Sequence, residues 1–134
     1  MAATATEQVI NDGPRRLTVK YTIAGTTGDT TAGDLVDATG FVDANGTALG
    51  ANSLTLMGVE SSLSGFSCNL LWDATTNINL VELPSDETIN QDFSRFGGIK
   101  DNSGTGSTGK ILFTTTGYTA SGDGGTIVLR LKKT

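Results

Sequence analysis

The sequence contains no histidine. This absence removes the commonest general base of enzymes, the Ser-His-Asp and Cys-His catalytic arrangements, and the usual zinc ligands. A pair of carboxylates could still hydrolyse a glycoside, and the candidates are Glu60, Asp73, Glu82, Asp86 and Glu87. Acids at strand ends and in turns are more often solvated or capping groups. We therefore expect that the chain is not an enzyme and uses no metal or cofactor.

Cysteine and positive charge are also scarce. The one cysteine, Cys68, cannot form an internal disulfide, so nothing indicates an oxidising compartment, and its apolar neighbours predict that it is buried. Nine Lys and Arg residues against 14 Asp and Glu residues give a net charge of −5 at pH 7. This charge disfavours nucleic acid as a partner, because phosphate binding depends on clustered cations. Basic residues near the two ends of the chain are expected to keep strands soluble: Arg15, Arg16, Arg130, Lys132 and Lys133.

Long apolar runs are missing. The longest strongly apolar run, residues 70–72, is far too short to cross a bilayer, which argues against a membrane partner. Residues 1–7 have neither the basic start nor the apolar stretch of a Sec-type signal peptide. We expect the chain to be made in a cytoplasm and to stay there unless a larger assembly carries it out.

Five segments alternate apolar with polar residues, which is the pattern of a strand with one buried and one solvated face. These segments are residues 17–23, 66–72, 78–80, 111–113 and 127–131. A slip of the apolar phase between Leu56 and Met57 predicts a β-bulge in a sixth strand, residues 53–60. Shorter candidates at residues 7–11 and 33–36 bring the count to about eight strands.

Turn-forming residues separate these strands, and no window has helical periodicity. The spacing predicts an all-β fold, a single antiparallel β-sandwich or small closed barrel of jelly-roll-like form. Asn45-Gly46 predicts a type I′ hairpin turn. Residues 1–14 are predicted to be an extended N-terminal arm, and residues 15–134 the domain itself.

Residues 84–109 are predicted to form a long loop, and loops of this length are often functional. Within it Phe93, Phe96 and Ile99 are the only apolar cluster outside the strand pattern. We hypothesise that Arg95, Phe96 and Ile99, together with Arg15 and the arm, bind a partner, because Phe and Arg are enriched where interfaces carry energy. The alternative is that the cluster simply closes one end of the sandwich.

Two patterns imitate known ligand sites. Residues 104–110 match the spacing of a phosphate-binding P-loop up to its lysine, but no Ser or Thr follows and a strand is predicted where a P-loop has a helix. Four acids precede Asn45-Gly46 without the spacing of an EF-hand loop, and we interpret them as turn formers. They are Asp29, Asp34, Asp37 and Asp43.

Several stretches resemble small virion proteins of tailed bacteriophages that are encoded near the major capsid protein. The stretches are VINDGPR (9–15), LSGFSCNLLWDA (63–74), FSRFGGI (93–99), GKILFTTTG (109–117) and TIVLRLKK (126–133). The resemblance implies a capsid decoration, or cement, protein that binds the outside of the phage major capsid protein shell and stabilises it. It further implies a place on the capsid surface of the virion, after synthesis in the host cytoplasm, and a homo-oligomer, with a trimer favoured over a dimer.

The resemblance leaves other virion parts open: a head fibre base, a tail protein, or a β-sandwich module that binds a glycan. The last of these needs an exposed aromatic ring on which a sugar can stack. Only Tyr21, Trp72 and Tyr118 are candidates for that platform, and Trp72 lies in a core-like pattern.

Overall fold

In the computed structural model, which describes residues 2–133, the chain forms ten β-strands and two single turns of 3-10 helix, Ala38–Gly40 and Ser94–Phe96. The strands are β1 (Thr4–Asp12), β2 (Arg16–Ala24), β3 (Gly33–Asp37), β4 (Leu54–Ser64), β5 (Ser67–Trp72), β6 (Ile78–Leu83), β7 (Thr88–Asp92), β8 (Ile99–Lys100), β9 (Lys110–Thr116) and β10 (Gly124–Lys133). No helix among the described residues is long and apolar enough to span a membrane.

The strands form two antiparallel sheets that pack as a sandwich. One sheet has the order β1-β2-β10-β4-β7, with β8 also paired to β4, and the other has the order β3-β9-β5-β6. The chain passes back and forth between the sheets, so that β2, β10, β4 and β7 face β3, β9, β5 and β6 in the manner of a jelly roll. The predicted all-β sandwich of jelly-roll-like form is confirmed.

The core lies between the sheets and is lined by the side chains that alternation predicted. On β2, Leu17, Val19, Tyr21 and Ile23 are each at most 1 % exposed. The equivalent residues of β5, β9 and β10 are buried in the same way. Burying each large apolar side chain stabilises the fold by about 1.5–3 kcal/mol relative to exposure.

The bulge in β4 is present where the apolar phase slips. Arg130 of β10 pairs with Gly58 and Leu131 pairs with Leu56, so Met57 has no partner opposite it on β10. One extra residue returns the following side chains to the core face, which lets both Leu56 and Val59 be fully buried.

The predicted N-terminal arm is corrected, because its residues form strand β1. Thr4–Asp12 pairs antiparallel with β2 at the edge of the larger sheet, with a register shift at Ile10. The phenol of Tyr21 donates a hydrogen bond to Glu7 Oε2 (2.7 Å), and burial raises the pKa of this phenol. The candidate strand at residues 7–11 is part of β1; nearly every residue of β1 is exposed, so it lacks the apolar alternation of the strands that line the core. Met1 lies outside the described residues.

The predicted long loop, residues 84–109, is also corrected, since it contains β7 and β8. β7 lies at the sheet edge, where only Ile89 and no other residue of the strand is shielded from solvent. It therefore has no apolar alternation for the sequence to reveal.

The hairpin at Asn45-Gly46 differs from the predicted type I′ turn. The Gly46 amide donates to the Asp43 carbonyl (3.0 Å), and Gly46 has a φ of 79° whereas Asn45 does not have a positive φ. This geometry is a type I turn followed by a glycine bulge. The Asp43 carboxylate stabilises it by accepting from the amides of Asn45 (2.8 Å) and Thr47 (3.0 Å).

Candidate interaction site

The Phe96 loop, residues 93–98, joins β7 to β8 and is held firmly against β4. The Phe93 amide donates to the Met57 carbonyl (2.8 Å), and the Gly98 amide donates back to the Phe93 carbonyl (2.9 Å). Gly97 and Gly98 both adopt left-handed backbone, with φ of 85° and 88°, which glycine adopts without steric cost. The loop is therefore a closed turn with a defined backbone.

Gly98 is also required by the space around it. A Cβ atom there would lie 2.6 Å from Thr55 Cγ2 and 2.7 Å from Met57 Sδ. Because real Cβ atoms do not approach other atoms so closely, only glycine lets the loop pack on the bulge of β4. The bulge of β4 and the two glycines, Gly97 and Gly98, thus act together to fix the position of the Phe96 loop.

Asp92 fixes the other end of the loop. Its Oδ1 accepts a hydrogen bond from the Ser94 amide (2.9 Å). Hydrogen bonding by Ser94, with a smaller contribution from the positive charges of Arg130 and Arg95, lowers the pKa of the Asp92 carboxyl. Asp92 is thus charged at neutral pH, and its hydrogen bond holds the first amide of the single helical turn that carries Arg95 and Phe96.

The loop presents Phe96 to solvent. The Phe96 side chain is 68 % exposed, the largest exposure of any large apolar residue among those described. Its ring contacts Phe93, with the ring centroids 6.0 Å apart, whereas Phe93 and Ile99 pack against the core. The hypothesised contact residues therefore divide: Phe96 and Arg95 are exposed, and Ile99 is a half-buried support paired with Leu56.

Arg15 lies on the turn between β1 and β2, outside the Phe96 loop. Its side chain is exposed, and its carbonyl accepts from the Lys133 amide (2.8 Å). The neighbouring Arg16 instead lines one depression on the larger sheet together with Ser94 and Arg130. The structure thus brings Arg16, which the sequence hypothesis did not include, toward the Phe96 loop.

Arg130 ties the edge strand that carries the loop to the rest of the sheet. Its Nη1 donates to Glu60 Oε1 (2.6 Å), and its Nη2 donates to Asn90 Oδ1 (3.3 Å) and to the Gln91 carbonyl (3.4 Å). The guanidinium lies over Gly58, where a Cβ atom would approach Nη2 to 2.3 Å. Three strands, β10, β4 and β7, are joined by this one side chain. Its role depends on strand register, which the sequence pattern does not reveal.

The aromatic residues considered for sugar stacking are all core residues. Tyr21, Trp72 and Tyr118 are each 1 % exposed, and none presents a ring face to solvent. The Tyr118 hydroxyl donates to the Asp123 carbonyl (2.6 Å).

Cys68 is buried as predicted, and burial raises the pKa of its thiol to about 12. A thiol with so high a pKa is a poor nucleophile at neutral pH.

The acids considered for hydrolysis or calcium have identifiable local surroundings. Asp86 accepts from the Gly65 amide (2.9 Å) in a turn, and Glu82 lies exposed on β6 opposite Asn69. Asp29 accepts from the Tyr118 amide (2.9 Å), and this bond above all lowers the pKa of its carboxyl. Asp37 accepts from the Thr39 amide (3.0 Å) at the start of a helical turn. The turn-forming role predicted for these acids is confirmed for Asp37 and Asp43 and is wrong for Asp34, which lies within strand β3.

The segment that resembles a P-loop is followed by a strand, as the sequence predicted. Residues 104–110 lead into strand β9 and not into a helix. Lys110, which would contact phosphate in a P-loop, pairs with Asp34 on the neighbouring strand (3.3 Å).

Comparisons with known proteins include a distant structural likeness. No family model matches the chain, and none of the curated proteins matches it. The crystal structure of a cupin domain from Bordetella pertussis Tohama I aligns over 100 % of this chain and 97 % of that domain. The two sequences are 8 % identical, and the TM-score is 0.37. A likeness at this score says nothing about function.

Proposed function

We propose that the chain is a structural protein of a tailed-bacteriophage virion, a capsid decoration protein that binds the outside of the major capsid protein shell. The sequence resemblance described above supports this role. So does the fold, because a disulfide-free sandwich with closely packed sheets presents its surface in a fixed geometry. A protein that must bind many equivalent sites on a lattice needs such a body.

The observation that carries the proposal is the exposure of Phe96 on a closed turn. An aromatic ring that is 68 % exposed leaves apolar surface in water, and covering it would release about 1–2 kcal/mol. The backbone beneath it is already ordered by the bonds of Phe93 and Gly98, so little conformational entropy is lost on binding. Phe96 with Arg95 beside it is the kind of pair that forms the energetic centre of an interface.

Multivalency turns such modest contacts into firm attachment. When one protein, or one oligomer of it, bridges two or three capsid subunits, the later contacts become intramolecular. Their effective concentration raises the overall affinity by roughly 10²–10⁴ over a single contact. The trimer or dimer implied by the resemblance would multiply the Phe96 loops in the same way.

Co-sedimentation with shells that lack the protein tests the proposal. The wild-type chain is expected to saturate expanded shells at a fixed ratio to the capsid protein. Phe96→Ala and Arg95→Glu are expected to bind far more weakly while unfolding normally in urea. Val42→Ala is the matched control, because Val42 is also an exposed apolar residue, 45 % exposed, on a different loop.

Two results would contradict this account. A wild-type chain that never co-sediments with shells overturns the capsid role. A Phe96→Ala variant that saturates shells as the wild type does shows that the loop is not the contact.

A further inference from the structure

The outer face of the larger sheet concentrates positive charge. Strand register places Lys132 opposite Arg16, Val128 opposite Lys20, and Arg130 opposite both Thr18 and Gly58. We call the outward residues of β2, β10, β4 and β7 the basic face. Its charged members are four cations and two carboxylates: Arg16, Lys20, Arg130, Lys132, Glu60 and Asp92.

This face opposes the charge of the whole protein. Its net charge is +2 and the sequence carries −5, so the remaining residues together carry −7. On the outer face of the smaller sheet, Lys110 lies beside Asp34 and Asp37, and Glu82 lies on the same face two strands away. The two broad faces of the sandwich therefore have opposite sign, which orients a charged partner during approach.

Most cations of the basic face lack an ionic partner among residues 2–133. The ion pairs between described residues are Lys110 with Asp34, Arg130 with Glu60, and Lys133 with Asp12. Arg16, Lys20 and Lys132 thus have no carboxylate within 4.0 Å in the described part of the chain. Their charge is available to an external anion.

The basic face is continuous with the Phe96 loop. Arg16 and Arg130 line the same depression as Met57, Asp92 and Ser94, and the last two belong to the base of the loop. The flat cationic sheet and the projecting aromatic ring therefore belong to one surface. A partner that receives Phe96 meets the basic face beside it.

We propose that this chain turns the basic face toward its partner, and that the partner presents an acidic protein surface with an apolar hollow for Phe96. The inference rests on the proposed function and names the side of the sandwich that faces the shell. Glu60 and Asp92 stand among the cations, which suits a patterned protein surface better than the uniform charge of a phosphate backbone.

Neutralising single lysines tests the proposal. Lys20→Gln and Lys132→Gln remove charge from the basic face, and Lys110→Gln removes the same charge from the opposite sheet as a matched control. At low salt we expect Lys20→Gln and Lys132→Gln each to weaken shell binding several-fold, on the scale of about one exposed ion pair per contact. The difference should vanish near 0.5 M salt, where the screening length is only about 4 Å. Lys110→Gln should bind as the wild type does.

A second probe separates this inference from the proposed function. Wild-type protein is passed over surfaces coated with polyglutamate or with duplex DNA, and its self-association is followed by sedimentation equilibrium. Retention on polyglutamate that Lys20→Gln reduces and Lys110→Gln does not supports the basic face, even if shells fail to bind. Equal effects of all three substitutions, stronger retention on DNA, or an oligomer that Lys20→Gln dissociates would each overturn an acidic protein partner.

Discussion

Replacing Gly58 with alanine should destabilise the native protein but stabilise a variant in which Arg130 has already been replaced by alanine. In the native protein the new Cβ atom would lie 2.3 Å from Arg130 Nη2 and 2.8 Å from both Cζ and Nε. The guanidinium ends a flexible side chain and can move aside, so the cost is the loss of its bonds to Glu60, Asn90 and Gln91. For such half-exposed bonds we expect a loss of about 1–2 kcal/mol.

Alanine at position 58 also brings a gain in stability, which decides the result in the Arg130→Ala protein. Alanine is more favourable than glycine in a strand interior by about 0.5–1 kcal/mol. Gly58→Ala alone should therefore lower the free energy of unfolding by about 1 kcal/mol or slightly less. In an Arg130→Ala protein, where the three atoms nearest to the new Cβ are absent, the same change should raise it by about 0.5 kcal/mol.

Urea unfolding of the four proteins, followed by Trp72 fluorescence, measures this cycle. Trp72 is buried in the core and reports its disruption. If alanine at position 58 lowers the midpoint equally in both backgrounds, Gly58 does not serve as the seat of the guanidinium. The bonds of Arg130 to β7 would then not depend on the space that Gly58 leaves open.

Three further predictions concern the loop, a buried lysine and the thiol. Phe93→Ala should lower the free energy of unfolding by about 2 kcal/mol, since Phe93 packs on the core, whereas exposed Phe96→Ala should change it by less than about 0.5 kcal/mol in urea melts. Lys133→Met should cost about 2 kcal/mol in the same assay, because the buried ammonium donates to Asp12 and to two carbonyls; exposed Lys132→Met should be nearly neutral. Cys68 should resist iodoacetamide in the folded protein at about pH 8. Because burial raises its pKa from 9.0 to about 12, the stability it contributes is intact below the lower value and lost as pH rises toward the upper one, which urea melts across that range measure.

The strands that line the core could be predicted from sequence because they have one apolar and one polar face. β2 and β10 alternate so regularly that their inward residues were assigned correctly. β7 could not be recognised, and β1 was predicted only in part, as the short candidate at residues 7–11, since edge strands exposed on both faces carry no apolar period. What identifies them is backbone pairing with β2 and β4, which depends on the finished sheet.

The sequence located the Phe96 loop, but it did not show which of its apolar residues are exposed and which pack on the core. Phe93, Phe96 and Ile99 look equivalent as an apolar cluster outside the strand pattern. Their different fates follow from the left-handed turn at Gly97 and Gly98, which points Phe96 away from the core that the other two contact.

The basic face could not be predicted from sequence, because it forms only when β2, near the start of the chain, pairs with β10, near its end. The spacing of Arg16 and Lys20, and of Arg130 and Lys132, places each pair on one side of its own strand. That β2 and β10 lie side by side is a property of the jelly roll and not of local pattern. Of the terminal cations, which were interpreted from sequence as charges that keep strands soluble, Arg16, Arg130 and Lys132 therefore converge on one surface, whereas Lys133 is buried.

Electron cryomicroscopy of shells saturated with the protein tests the central claim most directly. We predict added density on the outer surface of the shell, into which the sandwich fits with its six-stranded sheet and the Phe96 loop against the capsid protein and its four-stranded sheet toward solvent. Shells without added density, or a sandwich bound through its four-stranded sheet, would contradict the account.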